Sequence, residues 1–228
     1  MTGSPDASAI RTPRDLAALV DHTLLAPGVD AAELARLCDE ARAHGFAAVC
    51  VRPEHVAEAR RRLDGALVLV ASVVDFPGGR AQTAERVAEV EALARAGAQE
   101  VDALAPMPLV EAGRWDAVLE DLRALVRASP LPVKVILETA RFGRDAIVAA
   151  AAVAAAAGAA YVKTSTGFGP GGATPEHVAL LRRVVGEGVG VKASGGIRTA
   201  GAALALVKAG ASRLGCSASV AIVESAGF

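Results

Sequence analysis

The chain has 228 residues, and its 24 basic and 25 acidic side chains leave a formal charge of −1. Charge this evenly balanced supplies neither the basic footprint that nucleic acid requires nor a patch for a charged membrane surface. Three cysteines, Cys38, Cys50 and Cys216, stand far apart without CxxC spacing, which excludes a disulfide framework and a zinc knuckle and implies a reducing cytosol.

The polar N-terminus, MTGSPDASAIRTPRD, has no apolar signal core, and residues 1–15 read as a loose or short helical extension of a single domain covering residues 1–228. From there, short apolar, β-branched runs alternate with longer amphipathic ones. Strands are expected at Leu19–Leu24, Ala47–Val51, Leu67–Val74, Glu100–Leu104, Val133–Leu137, Tyr161–Ser165, Gly190–Ala193 and Arg213–Cys216. Helical patterns such as AAELARLCDEARAHG, AQTAERVAEVEALARAG and TPEHVALLRRVVG lie between them. Asp30, Thr174 and Thr199 are placed to cap helix starts, Pro175 suits a first helical position, and Gly45, Gly97 and Gly210 suit helix ends. The segment from Pro106 to Pro132 reads as the longest connection, with one helix. The uncharged run from Ala146 to Val162 is rich in weakly apolar alanine and falls short of the roughly 20 residues of a membrane span, so it reads as a buried helix followed by a strand. Alternating strands and helices give a parallel sheet, and eight such units imply an α/β fold closed into one (β/α)8 TIM barrel.

Barrel strands are covered on both faces and should be apolar. Four consecutive strands break that rule in the same way: Asp102 lies in EVDAL, Lys134 in PVKVIL, Lys163 in YVKTS and Lys192 in GVKAS, at intervals of 32, 29 and 29 residues. Pointing inward at similar height, they form one polar arc, with Glu100, Asp102 and Glu138 as partners for the three lysines. A buried ion-pair network without chemistry accounts for any one of these residues. It explains the group poorly, because neighbouring lysines repel each other. Repulsion has a chemical use: an amine attacks a carbonyl only when unprotonated, and a second ammonium with partial desolvation favours that form.

The strand at Lys192 continues as KASGGIRTAGAAL and the last strand as SRLGCSASVAIV. Gly195 and Gly196 end the first, and Gly215 and Ser217 open the final helix. In barrels the loops after strands seven and eight often hold a phosphate on backbone N–H groups. Either turn alone is an ordinary strand-to-helix connection, whereas two in succession after two lysine strands point to phosphate. These residues leave open a lysine-dependent aldolase, another phosphate-binding barrel enzyme such as a sugar-phosphate isomerase, and a non-catalytic sugar-phosphate binder.

The motifs VDHTLLAP, AVCVRPEHV, VVDFPGG, EVDAL, VKVILET, YVKTSTGFG, VKASGGIRT and SRLGCSA together resemble the deoxyribose-phosphate aldolases from about residue 16 to about 222. The resemblance implies a class I aldolase that needs no cofactor or metal. It would cleave 2-deoxyribose 5-phosphate reversibly through a lysine Schiff base, in deoxyribose catabolism. It also implies Lys163 as the Schiff-base nucleophile, Lys192 as the neighbour that keeps it reactive and relays protons, and Asp102 as the acid/base partner. Gly167, Gly195, Gly196, Gly215 and Ser217 match the phosphate site; Asp21, Thr23, Cys50 and Lys134 match positions lining the active site. Cys50 reads as an inert core thiol. The implied partners are small phosphosugars and aldehydes and a second copy of the chain, with neither nucleic acid nor membrane. Departures from the family pattern are Ala26, Arg52, Asp75, Pro106 and Ala218.

Overall fold

The computed structural model describes residues 9–227; the part of the expected N-terminal extension before residue 9 lies outside them. Eight parallel strands close into a barrel in sequence order: β1 (Val20–Leu24), β2 (Ala48–Val51), β3 (Leu69–Val74), β4 (Glu100–Leu104), β5 (Val133–Ile136), β6 (Tyr161–Lys163), β7 (Gly190–Ser194) and β8 (Arg213–Cys216). The seam is made by β1 on β8, with Asp21 opposite Gly215. Around them run α1 (Pro13–Ala17), α2 (Ala31–His44), α3 (Val56–Arg62), α4 (Thr83–Ala96), α5 (Met107–Glu111), α6 (Trp115–Ala128), α7 (Arg144–Ala156), α8 (Pro175–Val185), α9 (Ala200–Lys208) and α10 (Ser219–Glu224).

The local signals act where the sequence puts them. Asp30 accepts from the amides of Ala32 and Glu33 at the start of α2, Thr174 from His177 on α8 and Thr199 from Ala202 on α9. Gly45 and Gly97 close their helices with φ of +69° and +99°, a conformation that costs other residues a Cβ clash. Strand ends differ by one or two residues from expectation. Leu67 is 99% exposed and precedes β3 rather than opening it, and β6 stops at Lys163, so that residues 164–165 lie outside the strand. The Pro106–Pro132 connection holds two helices, α5 and α6, because Gly113 at φ +63° breaks the chain between them. The alanine run becomes α7, which buries Ile147, Ala150, Ala151 and Ala154; among the described residues no helix is long and apolar enough to cross a membrane.

Candidate active site

Parallel register sets the height of each charged side chain. Asp102 on β4 is level with Lys134 on β5. Lys163 on β6 is level with Ile136, two residues nearer the mouth, and with Lys192 on β7, which in turn is level with Arg213 on β8. The side chains converge on Asp102. Lys134 Nζ stands 3.0 Å from its Oδ1, Lys163 Nζ 2.8 Å and Lys192 Nζ 2.7 Å from its Oδ2. Lys192 also pairs with Asp21, Lys134 with Glu100 at 2.7 Å, and Arg213 with Asp21 at 2.7 Å and Glu100 at 3.2 Å.

Burial by itself raises the pKa of a carboxyl group. For Asp102 the ammonium groups of Lys134, Lys163 and Lys192 outweigh it and hold the pKa well below the usual carboxylate range. For Asp21 burial is likewise outweighed, by Lys192, Arg213 and Lys134. The cations respond in the opposite sense: burial disfavours the Lys192 ammonium, but Asp102 and Asp21 overcome it and lift its pKa. Lys134 is raised in the same way, chiefly by Asp102 against burial. A lowered carboxylate stabilises the fold above its unfolded pKa of about 4 and loses that contribution as pH falls through the folded value. A raised lysine stabilises below about 10.4 and loses its contribution as pH rises through the folded value. Thermal stability is therefore expected to be flat near neutrality, to fall below about pH 4 and again above about pH 10; melting curves across pH 2–11 check both edges, and a monotonic profile would contradict the ion-pair picture.

Glu138, expected beside a lysine, sits elsewhere. It occupies a left-handed turn at φ +52°, and its Oε2 accepts from the Thr166 amide at 3.2 Å. The turn carries the carboxylate out of the strand's inward alternation, so Asp21 takes the place expected for Glu138. Arg213 was absent from the expected set: at the first position of a strand it gives no more signal than a surface arginine does. Cys50 is fully buried, and burial pushes its thiol up to about 11, so it is un-ionised near neutrality.

Above this cluster opens a cavity of about 380 Å³. Lys163 reaches it with Thr23, Gly167, Gly195, Gly196, Gly215 and Ser217, so one opening brings together the proposed nucleophile and the two glycine turns. Asp21, Cys50, Asp102, Lys134 and Lys192 are not part of its lining and lie buried in the barrel. Phe168 and Arg198 also line the cavity. Phe168 stacks edge-on against Phe76, with ring centres 5.3 Å apart.

Of the departures from the family pattern, Ala26 lines the cavity and the others have structural places. Arg52 donates to the Leu25 carbonyl at 2.8 Å. Asp75 accepts from the amides of Arg80 and Ala81 and lies 3.6 Å from the buried Arg86. Pro106 and Ala218 precede α5 and α10. His22 faces outward from β1 to Glu40 on α2 at 2.7 Å and Ser219 on α10 at 3.0 Å. Among the described residues no group of three His, Cys, Asp or Glu side chains is arranged to hold a metal ion.

A closed (β/α)8 barrel with a lysine under a glycine-walled pocket at the C-terminal ends of its strands has the architecture of a barrel enzyme acting on a small molecule. The chain belongs to the DeoC/LacD family of aldolases, whose family model matches residues 16–222. It is 44% identical over 214 residues to a deoxyribose-phosphate aldolase of Caldanaerobacter subterraneus subsp. tengcongensis, covering 92% of this chain and 93% of that protein. It is 46% identical over 209 residues to deoxyribose-phosphate aldolase 1 of Cutibacterium acnes, covering 91% and 96%. Among solved structures, a tetrameric deoxyribose phosphate aldolase from Aeropyrum pernix superposes with a TM-score of 0.87 at 32% identity, covering 94% of this chain and 92% of that one.

Proposed function

We propose that this aldolase cleaves 2-deoxyribose 5-phosphate reversibly to glyceraldehyde 3-phosphate and acetaldehyde through a Schiff base on Lys163, in the breakdown of deoxyribose and deoxyribonucleotides. The observation that carries the reading is the placement of Lys163, which lines the cavity while its Nζ stands 2.8 Å from Asp102. The amine adds to the C1 aldehyde of the open-chain sugar and water leaves, giving a protonated imine. That imine accepts the electron pair of the C3–C4 bond as the C3 hydroxyl loses its proton. Glyceraldehyde 3-phosphate departs; the enamine is protonated and then hydrolysed to acetaldehyde. Asp102 and Lys192 move these protons. Bond cleavage turns the cationic imine into a neutral enamine, so Asp102 loses one of the three positive charges facing it and becomes more basic as the C3 proton must leave. No step needs a metal or cofactor, because the imine is the electron sink.

The phosphate binds the backbone amides at Gly167, Gly195, Gly196, Gly215 and Ser217, with Thr23 beside the sugar and Asp21, Cys50 and Lys134 supporting the site from the buried layer beneath it. The chain acts as one domain over residues 1–228, in the cytoplasm, in keeping with three buried free thiols. It acts as a homo-oligomer, as the tetrameric relative from Aeropyrum pernix suggests.

The test is incubation with 2-deoxyribose 5-phosphate and borohydride, followed by peptide mapping. The expected product is an N-ethyl group on Lys163, left by reduction of the acetaldehyde imine; a folded protein with turnover and no such adduct defeats the Schiff-base reading. The phosphate assignment has its own check at Gly172. A Cβ there would lie 2.1 Å from the Gly195 carbonyl oxygen, so Gly172→Ala must push the Gly195 turn aside. The expected result is a KM for 2-deoxyribose 5-phosphate raised about tenfold or more, with little change in kcat/KM for unphosphorylated 2-deoxyribose. Equal losses on both sugars would place the phosphate elsewhere.

A further inference from the structure

Seven charged side chains meet in the barrel interior, and six of them form a closed circuit. Arg213 pairs with Glu100 at 3.2 Å, Glu100 with Lys134 at 2.7 Å, Lys134 with Asp102 at 3.0 Å, Asp102 with Lys192 at 2.7 Å, Lys192 with Asp21, and Asp21 with Arg213 at 2.7 Å. The circuit alternates cation and carboxylate throughout, three of each, so it is electrically neutral when every member is ionised. Lys163 stands outside it: among the described residues its one ion-pair partner is Asp102, already shared with Lys134 and Lys192.

We propose that Arg213 is a positioning residue for the aldolase reaction: by closing a neutral six-membered ring of charges with Glu100 and Asp21, it makes Lys163 the surplus cation of the barrel, and so the amine that is left free to attack an aldehyde. The proposal rests on the reading of Lys163 as the Schiff-base residue and adds what sets its protonation. A guanidinium does not give up its proton, so the ring keeps its third cation at every working pH. Without it, three carboxylates would face two ring lysines, and Lys163 would be drawn in as the third cation. A buried net charge is costly, and in this cluster the cost is relieved at the member with the fewest partners, which also opens onto the cavity.

The charged and titratable groups around Lys163 come from several strands. β4 supplies Asp102 and Glu100, β5 Lys134, β7 Lys192, β8 Arg213, β1 Asp21 and β2 Cys50; Arg198 joins Lys163 in lining the cavity. Tyr161, at the start of β6, lies under the ring members, with Lys134 Nζ 6.0 Å and the Arg213 guanidinium 5.6 Å from its ring centre. β3, read as LVASVV, supplies no ionisable side chain. Arg213 and Glu100 act through the ring and are absent from the cavity lining, so a general loss of substrate contact is not expected from changing them.

The experiment measures the rate of borohydride-trapped acetaldehyde adduct at Lys163, by peptide mapping of the full chain, as a function of pH. Arg213→Met is expected to move the midpoint of imine formation up by about one pH unit, Arg213→Lys to restore most of it, and Glu100→Gln to move it down by a similar amount. A merely structural role lowers rates in all three variants without shifting midpoints in opposite directions. Arg213→Met with a wild-type midpoint overturns the proposal. If circular dichroism shows that variant unfolded, Glu100→Gln decides: a lower midpoint supports the ring, and an unmoved or higher one overturns it. Absence of any Lys163 adduct in the wild-type protein is a separate result, which defeats the Schiff-base reading itself.

Discussion

Replacing Lys163 by alanine is expected to lower kcat for 2-deoxyribose 5-phosphate by about 10⁴-fold or more while leaving the barrel folded. The size of the loss follows from the chemistry. Without an imine there is no electron sink for the C3–C4 bond, and neither Asp102 nor Lys192 can replace it by moving protons. The survival of the fold follows from the ion pairs. Asp102 keeps Lys134 at 3.0 Å and Lys192 at 2.7 Å, and the six remaining charges balance. Lys163 lies at the floor of an open cavity, so its removal enlarges existing space rather than creating a sealed void. A melting temperature at or slightly above that of the wild type, with turnover lost, is the expected pair of results. Turnover within tenfold of wild type would sink the assignment of Lys163.

Replacing Asp102 by leucine is expected to damage both stability and chemistry. Three ammonium groups share this one carboxylate, and removing one partner of a buried pair costs about 3–5 kcal/mol, because the charges left behind stay desolvated. For a chain of this size that lowers the melting temperature by about 10 °C. The catalytic loss is expected at about 10²–10⁴-fold, the range for a positioned acid/base group. Asp102→Asn separates the two effects. Its amide oxygen still accepts from an ammonium group, so stability recovers in part, while proton transfer does not. Thermal denaturation and kcat measured on both variants check this, and an asparagine variant with full activity would remove Asp102 from the proton path.

Most of the barrel was legible in the chain because local signals agree with one another. β-branched runs such as LVLVASVV and PVKVIL alternate with amphipathic segments whose caps, Asp30, Thr174 and Thr199, need only a neighbouring amide to act. The errors fall where a tertiary neighbour decides. Leu67 looks like strand and is almost fully exposed, and Gly113 divides a stretch that reads as a single helix. The three buried lysines and Asp102 stood out because a charge inside an apolar strand has few innocent explanations. Among their partners Glu100 was legible too and meets Lys134 at 2.7 Å, whereas two others mislead. Glu138 follows its strand in the sequence but leaves the interior through a left-handed turn, and Arg213 opens a strand, where an arginine is unremarkable.

The sequence by itself determined the eight βα units, the helix boundaries set by short-range caps, the lysines on consecutive strands and the two glycine turns, since each depends on residues within a few positions of one another. The tertiary structure alone decided which charges meet. Closing the barrel brings β1 against β8 and carries Arg213 to Asp21 and Glu100, residues 192 and 113 positions away. It also settles that Lys163 is held by one carboxylate while the other cations are held by two or more. That difference arises from register and strand tilt around a closed sheet, and no local pattern encodes it.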